Sequence, residues 1–124
     1  MGLALVCLCL PAGVWAQTEA TLGTDPARFF ATCAGRLSAE LEFAWLLSHP
    51  SEQIDSERRS LLDILDSLGT PDRGPEVLSW QINAKMAHAA LLTRQHFGAD
   101  AEDADWAAET ATHHRLACTE MLLG

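Results

Sequence analysis

Nothing in this 124-residue chain alternates between apolar and polar residues as a half-buried strand does, and no apolar run approaches the length of a membrane crossing. The first absence removes β-structure, whose side-chain period is two. The second removes a transmembrane helix, which needs about 20 apolar residues in succession. There is no G-x-S-x-G, no H-E-x-x-H and no glycine-rich phosphate loop, so the usual signatures of serine hydrolases, zinc peptidases and nucleotide binders are missing. Ser38, Ser48, Ser60 and Ser79 are scattered and have no base and orienting residue in an evident pattern. C-x-x-C-H is also missing: Ala34-Gly35-Arg36 follows Cys33 and Thr119-Glu120-Met121 follows Cys118, which excludes covalent haem. Lysine occurs only at Lys85, and the net charge is −9. Phosphate backbones and anionic lipid surfaces repel so acidic a chain, which excludes nucleic acid as a partner.

What is present begins with "MGLALVCLCLPAGVWA". Leu3 to Leu10 form a short apolar run, Pro11 and Gly13 break it, and Val14 and Ala16 stand where a signal peptidase requires small residues. Residues 1–16 are therefore expected to be a secretory signal peptide. No Lys or Arg precedes Leu3, so whether Met1 is the true start stays open. Cys7 has no lipoprotein box around it. Cleavage after Ala16 would remove Cys7 and Cys9 and leave Cys33 and Cys118, an even pair in an exported chain. Arginine in place of lysine and frequent alanine suggest a bacterial gene, and hence the periplasm or the medium. After cleavage no stable membrane insertion is expected.

Residues 17–24 carry no pattern and are expected to be flexible. Four helices are expected in a single domain over 25–124. Asp25 caps the first, with Pro26 at its first position, and Phe30, Cys33, Leu37, Leu41, Ala44 and Leu47 form its stripe. Pro50 ends it. Ser51 caps the second, striped by Ile54, Leu61, Leu65 and Leu68 and stopped at Gly69. Gly74 is expected in a left-handed turn before a third helix from Pro75 to Phe97, striped by Val77, Leu78, Ile82, Met86, Ala89, Ala90 and Phe97. Asp100 caps the fourth, whose seam is Ala107, Ala111, His114, Cys118 and Met121. Four long helices on short loops imply an all-α, antiparallel up-down-up-down four-helix bundle. A solenoid fragment is the rival architecture, although no internal repeat is found.

That topology brings the start of the first helix and the end of the fourth to one pole, with Cys33 and Cys118 at similar height. One disulfide joining the first and last helices follows. The alternative keeps Cys118 reduced and uses His114, one turn before it, as a metal ligand, with Cys33 as a third donor; zinc would still require another. Glu-x-x-His pairs of the di-iron type are absent, and Glu109–His113 is a single i,i+4 pair. Non-covalent haem is not favoured, since Met86 reads as a core filler and His88 as pointing away from it. His49, His96 and "DAEDAD" gather at the pole opposite the cysteines, a weak cation site at most. His49, His96 and His114 are thus low-ranked metal candidates, none is favoured, and no cofactor is expected. Trp45 and Trp106 flank the stripes and form a candidate interaction patch, tryptophan being enriched in binding hot spots.

The stretch "FFATCAGRLSAELEFAWLL", with a late cysteine in "LACTEMLLG", resembles small exported helical proteins of unassigned function from alphaproteobacteria. The resemblance implies a bundle and a disulfide, and no activity. The expected function is that of a non-catalytic exported bundle acting as an accessory or protein-interaction subunit with an unidentified protein partner. The alternatives are a periplasmic carrier of a metal ion or small apolar ligand, and an enzyme of an unrecognised class.

Overall fold

Aspartate before proline starts the first helix. Asp25 accepts a hydrogen bond from Arg28 N at 3.4 Å, and Pro26 occupies the first position, where a missing N–H costs nothing. The computed structural model describes Gly2, residues 25–69 and residues 71–123. The expected signal peptide and the 17–24 segment fall outside the described residues, apart from Gly2. The described residues form four helices, α1 (Pro26–Leu46), α2 (Glu52–Ser67), α3 (Gly74–Phe97) and α4 (Ala101–Leu123), with a 3₁₀ turn at Pro71–Arg73. Among the described residues there is no strand, and no helix is long and apolar enough to cross a membrane.

The stops follow the expected chemistry in part. Gly69 takes a left-handed φ of 62° just beyond α2, and Asp100 accepts from Asp103 N at 3.1 Å at the start of α4. Ser51 stands at the N-cap of α2, but its side chain makes no capping bond, and its N–H donates to Glu52 Oε2 at 3.2 Å. Gly74 is not a left-handed turn residue. It opens α3, one position before the expected start.

Helix α1 touches all three others. Against α3 the partners run broadly in the same direction, from Asp25 with Arg73 at one end to Phe43 with His96 at the other, with Glu40–His88 and Glu42–Lys85 between them. Against α2 they run in opposite order, Leu61 meeting Cys33 and Leu37 while Ile54 meets Leu41 and Ala44. Between α3 and α4, Arg94 meets Asp103 and His88 faces His114. The backbones of α2 and α3, although consecutive, do not approach closely, and Leu65 and Val77 share a cluster with Ala27 and Ala31 of α1. Small residues explain the closeness of α1 and α3. A methyl group added to Gly35 would press on the backbone carbonyl of Gln81 and lie 3.0 Å from Lys85 N, so only glycine lets the two backbones meet there.

This contact sets which face α3 buries, and the expected stripe is corrected. Val77, Leu91 and Leu92 are buried, but Leu78, Ile82, Met86 and Phe97 are each at least half exposed, Met86 at 64%. His88, expected to point away from the core, is 1% exposed. Met86 fills no core. Residues 77–93 are apolar or small on nearly every side, so apolar spacing alone does not choose a face. The contacts of Gly35, Glu40 and Glu42 choose it. On α4 the expected Ala107, Ala111 and Cys118 are buried, and Met121 is not.

Candidate functional site

The sulfur atoms of Cys33 and Cys118 lie 2.10 Å apart, with their Cα atoms at 5.4 Å, which is disulfide distance. Both residues are fully buried, in a cluster with Ala34, Leu37 and Leu61. Arg36 lies over the pair, its Nη1 3.9 Å from Cys118 Sγ, and burial pushes its guanidinium down from the usual arginine value. Sulfurs joined in this way are not metal ligands, so Cys118 with His114 does not assemble the zinc alternative.

Near this pole a buried polar chain crosses the core. His88 Nε2 and Glu40 Oε1 form a hydrogen bond of 2.9 Å, and the Glu40 side chain is 14% exposed. Arg115 reaches towards Glu40 Oε2 but stays 3.9 Å away. The His88 and His114 rings are 6.3 Å apart, and His88 Nδ1 has no hydrogen-bond partner among the described residues. Burial first, then the nearby Arg36, His88 and His113, push the His114 imidazole below its ordinary value of 6.5. His88 was passed over in the sequence because its partner lies 48 residues away on another helix. No local signal marks it.

Beside Glu40 the surface opens. Two adjoining hollows of about 500 and 650 Å³ share Glu40, Gln53, Leu92, His96 and Arg115. Helices α2 and α4 form the walls of this groove, and α1 and α3 its floor. The walls come together towards the disulfide, where Leu61, Leu62 and Leu122 pack around Cys118. The low-ranked metal candidates divide accordingly. His49 and His96 both line the smaller hollow, whereas His114 faces His88. Among the described residues no group of three or more His, Cys, Asp or Glu side chains is placed to hold a metal ion. In the acidic segment, Asp103 is engaged by Arg94, which holds its carboxyl below the usual carboxylate range.

Trp45 and Trp106 are exposed. Trp45 lies beside Lys85, Asp55 and Arg58, and Trp106 lies under Arg94, whose guanidinium carbon is 4.9 Å from the ring centre. The structure gives them separate neighbours. Trp80, half-buried, carries Arg73 at 5.0 Å and Arg28 at 5.7 Å over its ring. Leu78, Ile82, Met86 and Phe97, expected in the core, instead expose apolar surface along the outer face of α3. Comparison with protein-family models, with curated proteins and with solved structures finds no match.

Proposed function

We propose that the chain is a non-catalytic, exported four-helix bundle that serves as an accessory or protein-interaction subunit, docking through α3. The observation that carries this is the outer face of α3. Leu78, Ile82 and Met86 recur at intervals of four, Ala90 and Phe97 continue the line, and Lys85 is the only charge between Val77 and Thr93. In a chain of net charge −9, a largely apolar strip with a single charge over about five turns is poor solubilising surface and good contact surface.

The finer topology belongs to the same reading. The opposed order of partners between α1 and α2 and between α3 and α4 supports an antiparallel up-down-up-down arrangement, with α1 and α3 as its closest pair. The sulfur pair supports folding in an oxidising compartment, the periplasm or the medium, with residues 1–16 as the export signal. The resemblance to exported alphaproteobacterial helical proteins agrees with this and adds no activity.

A photoreactive amino acid at Met86, introduced in the producing cell, tests the docking face. The expected outcome is a discrete protein adduct at Met86, lost with Ile82→Asp, and none from the same probe at the exposed Ser60. Adducts equal at both positions, or at neither, refute docking through α3.

A further inference from the structure

The groove between α2 and α4 carries two charged groups of opposite sign, Arg115 and Glu57, and among the described residues neither has an ion-pair partner within hydrogen-bond distance. Arg115, on α4, has its nearest carboxylate at 3.9 Å, beyond hydrogen-bond distance. That carboxylate, Glu40, is tied at its other oxygen to His88 at 2.9 Å. Glu57, on α2, accepts from Gln53 Nε2 at 2.9 Å through one oxygen, while its second oxygen is enclosed and has no donor among the described residues. A carboxylate oxygen shut away from water without a donor is costly, whereas the Arg115 side chain is 34% exposed, so water meets its donors and a ligand carboxylate can replace that water. Both side chains line the same hollow of about 650 Å³, from different walls, and they do not pair with each other. Leu92, Leu116 and Leu122 line the same space with apolar surface.

We infer that this groove binds a small zwitterion: a molecule with an ammonium group, a carboxylate and an apolar side chain, as in a free apolar amino acid or a short apolar peptide. The carboxylate meets Arg115, which presents paired donors suited to it. The ammonium meets Glu57 after a turn about its last side-chain bond. The apolar group lies along Leu92 and Leu116. A simple anion would face Glu40 and Glu57, and a simple cation would face Arg115. A zwitterion answers both walls and adds no net charge to a chain already at −9. The volume falls within the roughly 300–1,000 Å³ of small-molecule sites. The site is independent of the α3 surface, so failure of either leaves the other standing.

The test is titration of the full oxidised chain, by calorimetry and by heteronuclear NMR, with four matched probes: L-leucine, L-leucyl-L-leucine, 3-methylbutylamine and 4-methylpentanoate. The last two are leucine without its carboxylate and without its ammonium. The expected result is saturable binding of leucine or its dipeptide, with each singly charged analogue weaker by about tenfold or more, as the loss of a charged hydrogen bond implies. The tighter of the two zwitterions then identifies the source, amino acid or peptide. Arg115→Gln and Glu57→Gln should each weaken binding by a similar factor. On the unaltered chain, the shifted resonances should centre on residues 57, 92 and 115, a readout that does not depend on the variants folding. The proposal is overturned if neither zwitterion saturates by about 10 mM, if the analogues bind equally well, if folded variants bind undiminished, or if the shifts map elsewhere.

Discussion

His88 Nε2 and Glu40 Oε1 meet at 2.9 Å in the interior, where His88 is 1% exposed, and together they tie α3 to α1. Glu40→Leu leaves the His88 ring with neither nitrogen paired, at a cost of about 1–3 kcal/mol. The double variant Glu40→Leu/His88→Leu should lose less stability than the two single losses added together, because no polar group is then stranded. A denaturant-unfolding cycle measures this, and strict additivity would show that the pair is not coupled.

The Cys33–Cys118 bridge should dominate thermal stability. It spans 85 positions, and the chain-entropy model assigns such a loop about 4.5 kcal/mol. For a domain of this size that corresponds to well over ~10 °C. Cys33→Ser and Cys118→Ser should melt alike, and the double variant no lower than either. Alkylation of Cys33 and Cys118 in unreduced, denatured protein, located by peptide mass measurement, would refute the bridge.

Gly35→Ala should destabilise by roughly 1–3 kcal/mol, since the added methyl meets the backbone of α3. Gly74→Ala is the control. It has open space around it and a helical position, and it should be neutral or slightly stabilising. Equal effects from the two would mean that α1 and α3 are not in close contact.

Stability should fall on mild acidification. The His114 pKa is lowered on folding, chiefly by burial and then by Arg36, His88 and His113. The unfolded chain therefore takes up a proton near 6.5 that the folded chain resists. The His114 contribution is complete above about 6.5 and is lost as the pH falls from there through the folded value. His114→Gln should flatten that part of the unfolding free energy between pH 7 and pH 5. An NMR titration placing His114 at or above 6.5 would contradict the sign.

Export has a direct readout. The chain secreted by a bacterial host should begin at Gln17 by N-terminal sequencing. Soluble protein that retains Met1 would remove the signal-peptide reading.

The helices, their stops at Asp25, Gly69 and Asp100, and the approach of the two cysteines were legible because each depends on local chemistry or on helix order. The face of α3 was not. Its window offers apolar side chains on both sides, and Gly35 on another helix makes the choice. His88 was hidden for a related reason, since a polar residue reads as solvated until its distant carboxylate is placed. The groove was equally hidden, because it depends on the spread of α2 from α4, which no short stretch encodes. The exposure of Trp45 and Trp106 likewise depends on which neighbouring helix leaves them uncovered.

Cys33 lies before the turn at Gly69–Pro71 and Cys118 after it, so α1–α2 and α3–α4 are two halves joined covalently at two places. A protease that cuts this turn in oxidised protein would therefore release no fragment. The nicked molecule would keep its mass, apart from one added water, and would keep both halves. On a denaturing gel it would run as two pieces only after a thiol is added.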